Sequence, residues 1–183
     1  MMPLYANAAN YDITHQYIKA EIQDNGDLKI SELIVMDGNF NGYEKTLSYK
    51  NELLNDELSG YDKNHLYNAK GIKLIEIKGK YVDKVSFDTF NASDFETFQL
   101  VSYASNGDKL KYTSKTNSNG YTYRLYYPSK SQNVAFLVTY MVDSAVVMHQ
   151  DVAELYWNFI SPNDYDDIHD IRVEVLLPNE KAD

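Results

Sequence analysis

"HQYIKAEIQDNGDLKISELIVM", residues His15 to Met36, is two alternating runs joined by Asn25-Gly26. In the first run Ile18, Ala20 and Ile22 alternate with Tyr17, Lys19, Glu21 and Gln23; in the second Leu28, Ile30, Ile34 and Met36 share one parity. Alternation with period two places all apolar side chains on one face of a strand. Asn and Gly both tolerate the positive φ of a tight turn. The stretch therefore predicts a β-hairpin with one buried face.

Working outward, the same signals recur. Asn-Gly stands again at Asn41-Gly42, Asn106-Gly107 and Asn119-Gly120. The last is flanked by "KLKYTSKT" and "YTYRLYYP", whose Tyr and Thr suit a pleated surface, so a second hairpin is expected. "GIKLIEIKGKYV", "FETFQLVSYA", "VAFLVTYMV", "SAVVM", "AELYWNFI" and "IRVEVLLP" read as further strands. In "AELYWNFI" the spacing Val152, Leu155, Tyr156, Phe159 also fits a helix, and aromatic enrichment favours the strand. Leu53, Leu54 and Leu58 predict a short helical excursion near residues 50–68. Many short strands between turn signals predict an all-β fold, a mainly antiparallel β-sandwich of immunoglobulin-like general architecture. The expected division is a disordered tail over 1–12, one domain over 13–178, and a tail over 179–183. Ala6-Asn7-Ala8 in that first tail has the small-x-small form of a signal-cleavage site, with no apolar run before it.

Composition narrows the function. The formal net charge of -10 repels a phosphate backbone, which argues against nucleic-acid binding. With no cysteine, disulfides, thiolate catalysis and cysteine-bound zinc are excluded together. The longest apolar stretch, Asn133 to Met148, is interrupted by Thr139, Asp143 and Ser144 and reads as buried strands rather than a membrane span. Phosphate loops, dinucleotide fingerprints and the serine nucleophile elbow are missing, so no catalytic residue and no cofactor is expected. His15, His65, His149 and His169 show no metal-clip spacing.

Three groups of residues invite a chemical reading. Asp164, Asp166, Asp167 and Asp170 are hard oxygen donors suited to calcium, but the EF-hand pattern fails, and a solvated connection between strands is the expected role. The 17 tyrosines, with Tyr121, Tyr123, Tyr126 and Tyr127 close together, suggest a sugar-stacking platform. Against it stands the ordinary preference of tyrosine for strands. Glu32 falls on the inward face of its strand, where a carboxylate is costly unless paired. Lys45, Arg124 and Arg172 are the candidate cations for a buried pair that fixes the sheet. A bulge turning Glu32 outward is the alternative. A hydrolytic carboxylate pair would need two carboxyls facing across a cleft at about 5 to 9.5 Å.

Taken together, "DNGDLKISELIVMDGNFNGYEK", "VVMHQDVAELYWNFI" and "IRVEVLLP" resemble the N-terminal extracytoplasmic domain of the YciQ-like predicted membrane proteins, a bacterial family of unknown function. The resemblance runs from about Ile13 to Pro178, and Asp151-x-x-Glu154-Leu155-Tyr156-Trp157 is its most specific part. It implies a β-rich domain outside the cytoplasm, attached to the membrane only through segments beyond this chain, and it brings no catalytic residues. Lys45 stands where the family often has Arg. The resemblance makes Glu32, Asp151, Glu154 and Trp157 a structural signature, with the Trp157 indole packed in the core and the two acids orienting the strand or meeting backbone donors. The expected partner is an unknown protein or glycan at the cell surface. The leading reading is non-catalytic interaction or sensing; a carbohydrate-binding module and a hydrolase are the alternatives.

Overall fold

A computed structural model describes residues 10–49, 69–83, 91–160 and 168–178. The His15–Met36 hairpin is its spine. Strand β1 (Asn10–Ile22) pairs antiparallel with β2 (Leu28–Asn39), with Ile22 opposite Leu28 and Ile18 opposite Glu32. The connection is longer than a two-residue turn. Gln23 N–H donates to the Asp27 carbonyl at 2.9 Å, and only Gly26 adopts a positive φ, of 83°. The sheet begins at Asn10, so residues 10–12 belong to β1 rather than to a tail, because Asn10, Tyr11 and Asp12 pair with Asn39, Gly38 and Asp37.

On the other side of β2 lies β9 (Asn133–Asp143), followed by β4 (Gly71–Val82) and the two-residue β5 (Glu96–Thr97). Strand β12 (Ile168–Leu176) closes the far edge beside β1, giving a six-stranded sheet in the order β12-β1-β2-β9-β4-β5. The second sheet has four strands in the order β3 (Gly42–Ser48), β8 (Gly120–Tyr126), β7 (Lys111–Thr116) and β6 (Gln99–Leu100). A small hairpin of β10 (Val146–Met148) and β11 (Ala153–Leu155) completes the strands. Among the described residues the only helical element is a 3-10 turn at Ala92–Asp94. The helical excursion read at 50–68 lies outside the described residues. The ambiguity at 151–160 resolves as a short strand.

The inner faces of the two sheets form one core, as expected of a sandwich. Ile18, Ile30, Ile34, Phe136 and Val138 from the large sheet pack with Leu47, Tyr123 and Leu125 from the small one. Tyr43 of β3 stacks on Phe136 of β9, with ring centroids 6.0 Å apart. Gly42 starts β3 because a Cβ there would lie 1.9 Å from the Leu125 carbonyl oxygen. The outer face of the large sheet is partly covered by Phe95, which meets Leu33, Val35, Ala135 and Leu137. Leu33 and Val35 are thus buried on the opposite face from Ile34.

Two features depart from a purely antiparallel scheme. β12 runs parallel to β1, and β6 runs parallel to β7. The Asn-Gly pairs also differ in use. Asn25-Gly26 and Asn119-Gly120 link antiparallel neighbours, whereas Asn41-Gly42 carries the chain from one sheet to the other. Asn106-Gly107 lies between the parallel β6 and β7.

Candidate functional site

Glu32 sits midway along β2 with its neighbours in unbroken register, opposite Ile18 on one side and Val138 on the other. No bulge turns it outward. Its parity with Ile30 and Ile34 sends the carboxylate into the core, where the residue is 1% exposed. Three side chains from three strands meet it there. Tyr140 of β9 donates its hydroxyl to Oε1 at 2.5 Å. Lys45 of β3 brings Nζ to 2.5 Å from Oε2, and Gln16 of β1 donates from Nε2 to Oε2 at 3.4 Å. Of the three candidate cations, Lys45 is the partner, because β3 crosses over β2 and points Tyr43, Lys45 and Leu47 inward.

The electrostatics follow from this packing. Burial, then the negative charge of Glu32, then the hydrogen bond to it push the Tyr140 phenol well above its ordinary range. The phenol therefore stays neutral and donating at every physiological pH. Glu32 has a donor or cation on each oxygen, so its charge is answered from three strands. A buried charge with complete partners is the arrangement that fixes register, since any slip strands the charge in the core. Lys45 ties the second sheet to the first through the same group.

A second cluster lies toward the other edge. The Lys109 ammonium stands 5.1 Å from the Tyr81 ring centroid and 4.8 Å from that of Tyr127, and it pairs with Glu96 at 2.9 Å. Glu96 beside it raises the lysine above its usual range. The Tyr81 hydroxyl donates to the Pro128 carbonyl at 2.8 Å. That of Tyr127 is buried without a hydrogen-bond partner among the described residues. Leu110, next to Lys109, has a φ of 59°, a conformation that costs a side-chain-bearing residue about 1–3 kcal/mol. The aromatic pocket is occupied by the protein's own cation, so what it provides is adhesion between β4 and the loop before β7.

The remaining residues singled out by sequence are scattered. Asp164, Asp166 and Asp167 lie outside the described residues. Asp170 sits half-buried on β12 opposite His15. Among the described residues no group of three or more His, Cys, Asp or Glu is placed to hold a metal ion. Trp157 packs against the core but is only half-buried. Glu154, on β11 opposite Val147, faces the His149 imidazole at 3.3 Å, and Asp151 is exposed in the turn between β10 and β11. The four tyrosines read as a platform do not form an exposed row: Tyr123, Tyr126 and Tyr127 are buried, and the half-buried Tyr121 stacks on Tyr123 at 6.2 Å.

Tyr140 and Gln16 are functional members of the Glu32 cluster that the sequence reading passed over. Each carried a signal. Tyr140 shares parity with Val134, Phe136, Val138 and Val142 on a strand buried on its core face, where its hydroxyl needs a partner. Gln16 shares parity with Ile18 and Ala20.

The family described as "Predicted membrane protein (DUF2207) N-terminal domain" matches residues 12–183. No curated protein gives a significant match to the chain. No helix among the described residues is long and apolar enough to cross a membrane.

Proposed function

The chain belongs to this family of N-terminal domains of predicted membrane proteins, and on that premise we propose that it is a non-catalytic extracytoplasmic domain serving in protein interaction or sensing at the cell surface. The observation that carries the reading is the composition of what is exposed. The β10–β11 hairpin presents Met148, 69% exposed, and Val152, 52% exposed, at its turn, and an exposed Tyr156 follows. Aliphatic and thioether side chains held in water on an arm suit an apolar protein surface, and methionine adapts to varied ones. A glycan would instead favour a row of coplanar exposed rings, and of the rings named for that role Tyr123, Tyr126 and Tyr127 are buried and Tyr121 half-buried. The Glu32 carboxylate is buried with partners on both oxygens, which supports a structural rather than a hydrolytic role.

The chain contains no cysteine, so an introduced one is unique within the domain. In the full-length protein Ser102→Cys, in an exposed loop, is expected to react with a membrane-impermeant maleimide in intact cells. Labelling only after lysis would overturn the extracytoplasmic placement. A photo-crosslinking residue at Met148 is expected to capture a partner in cells, whereas one at Glu44, exposed on the outer face of β3, is not. Equal capture at both positions would remove the hairpin from the reading.

A further inference from the structure

Among the described residues the two sheets end in four outer strands, and three of them are poor templates for another chain. β5 and β6 are two residues each. β3 turns the charge of Lys45 inward between Tyr43 and Leu47, so a strand recruited alongside would meet a charge in the middle of that face. Short edges and inward charges are how sheets avoid unwanted pairing. β12 has neither. It runs nine residues with no Pro, Gly or Lys, as the outermost strand of the large sheet.

Its side chains are arranged as if for a partner. Ile171, Val173, Val175 and Leu177 share one parity and are 38%, 44%, 41% and 55% exposed. Their register neighbours on β1 are Gln16, Ile18 and Ala20, which are buried, so the stripe continues the core face of the sheet out into solvent. On the opposite face Arg172 and Glu174 stand on either side of Val173. The sequence Ile171-Arg172-Val173-Glu174-Val175 is therefore self-complementary when reversed.

The geometry points to β12 as a homodimerisation edge, at which a second copy of this chain adds its own β12 antiparallel about a two-fold axis through Val173. Pairing about that residue sets Val173 against Val173, Ile171 against Val175 of the second copy, and Arg172 against Glu174 of the second copy, twice over. Over residues 171–175 every apolar residue meets an apolar one and each charge meets its opposite, while farther out Asp170 faces Leu176 at each end of the ladder. Directly opposed side chains of antiparallel strands lie about 4.5–5.5 Å apart, close enough for both kinds of pair. Moving the axis by one residue, onto Arg172 or Glu174, sets that charge against its own copy and loses the match. An isologous contact of this kind closes after two copies and leaves no further edge of its own to grow. The two six-stranded sheets become one continuous sheet across the axis. This inference goes beyond the interaction proposed for the hairpin and does not depend on it.

The test uses the cysteine-free 183-residue chain. Val173→Cys places each thiol opposite itself, and is expected to give a covalent dimer with a short bis-maleimide or mild oxidant. Val175→Cys, on the same face and comparably exposed, puts the two thiols about 13 Å apart along the strands and is expected to give no covalent dimer under the same treatment. In sedimentation equilibrium Arg172→Glu and Glu174→Arg are each expected to weaken the dimer at least 10-fold, an effect on the order of 1.4 kcal/mol. The double reversal, Arg172→Glu with Glu174→Arg, is expected to restore it. Cross-linking of Val175→Cys as fast as Val173→Cys, no cross-linking of either, or a double reversal no better than the single changes would each overturn the proposal.

Discussion

Lys45 on β3 and Val173 on β12 both belong to outermost strands, and both lie on the face of their sheet that turns toward the core. Lys45 crosses the interior to Glu32 and is held there. Val173 sits in the same layer of the structure and remains 44% in solvent. One edge is closed by a charge that only this fold can satisfy; the other is apolar, regular and long. The difference teaches that polarity here is used inside, to fix which strands meet, while apolar surface is left outside, where it is available to something else.

The comparison can be broken most forcefully at the closed edge. Lys45→Met leaves the Glu32 carboxylate buried beside Tyr140 and Gln16 with no cation, and removing one member of a buried pair costs about 3–5 kcal/mol. Urea unfolding is expected to show that loss as a lowered midpoint with an unchanged slope. A change below about 1 kcal/mol would mean that the pair does not hold the sheets together.

Tyr140→Phe probes the same carboxylate from within the large sheet. It removes a hydrogen bond to a charged group, worth about 1.5–3 kcal/mol, while keeping the ring. Measured in the background of Lys45→Met, its cost is expected to differ from its cost alone, because both changes act on one group. Strict additivity would separate Tyr140 from the cluster.

A smaller effect is expected where β12 joins β1. The Tyr17 hydroxyl donates to Glu174 at 2.5 Å, and burial, then this carboxylate, push its phenol up to about 12. The folded state thus holds the Tyr17 proton more tightly than the unfolded chain, whose phenol titrates near 10. The stability this contributes is complete below about pH 10 and is lost as pH rises toward about 12. Tyr123 is also pushed up to about 12 by burial and Tyr140 higher, so the informative measurement is a difference. Tyr17→Phe is expected to lose less stability between pH 9 and 11 than the parent protein does. Parallel losses would show that Tyr17 is not coupled to folding.

How much of this was legible beforehand depended on how local each feature is. The β1–β2 hairpin could be read from alternation, since the parity of Ile18, Ala20, Leu28 and Ile30 is set by neighbours two residues away. β4 matched its sequence segment end to end for the same reason. "FETFQLVSYA" shortened to two pairs of residues because Phe95 and Phe98 are spent on packing, one on each face of the large sheet, rather than on ladder positions. The parallel pairing of β1 with β12 joins residues as far apart as Tyr17 and Glu174, and no turn between them encodes a register.

The same division runs through the candidate site. The amino-acid sequence by itself determined that the chain is β-rich, that Glu32 faces inward and that some cation must meet it, because alternation and the cost of burying a charge are properties of a single strand. Lys45 rather than Arg124 or Arg172, Tyr140 as the second partner, and the burial of Tyr123, Tyr126 and Tyr127 were decided only when the two sheets packed. The exposure of β12 was decided at the same stage: its apolar residues look like core in the sequence, and the order of strands alone leaves them at an edge.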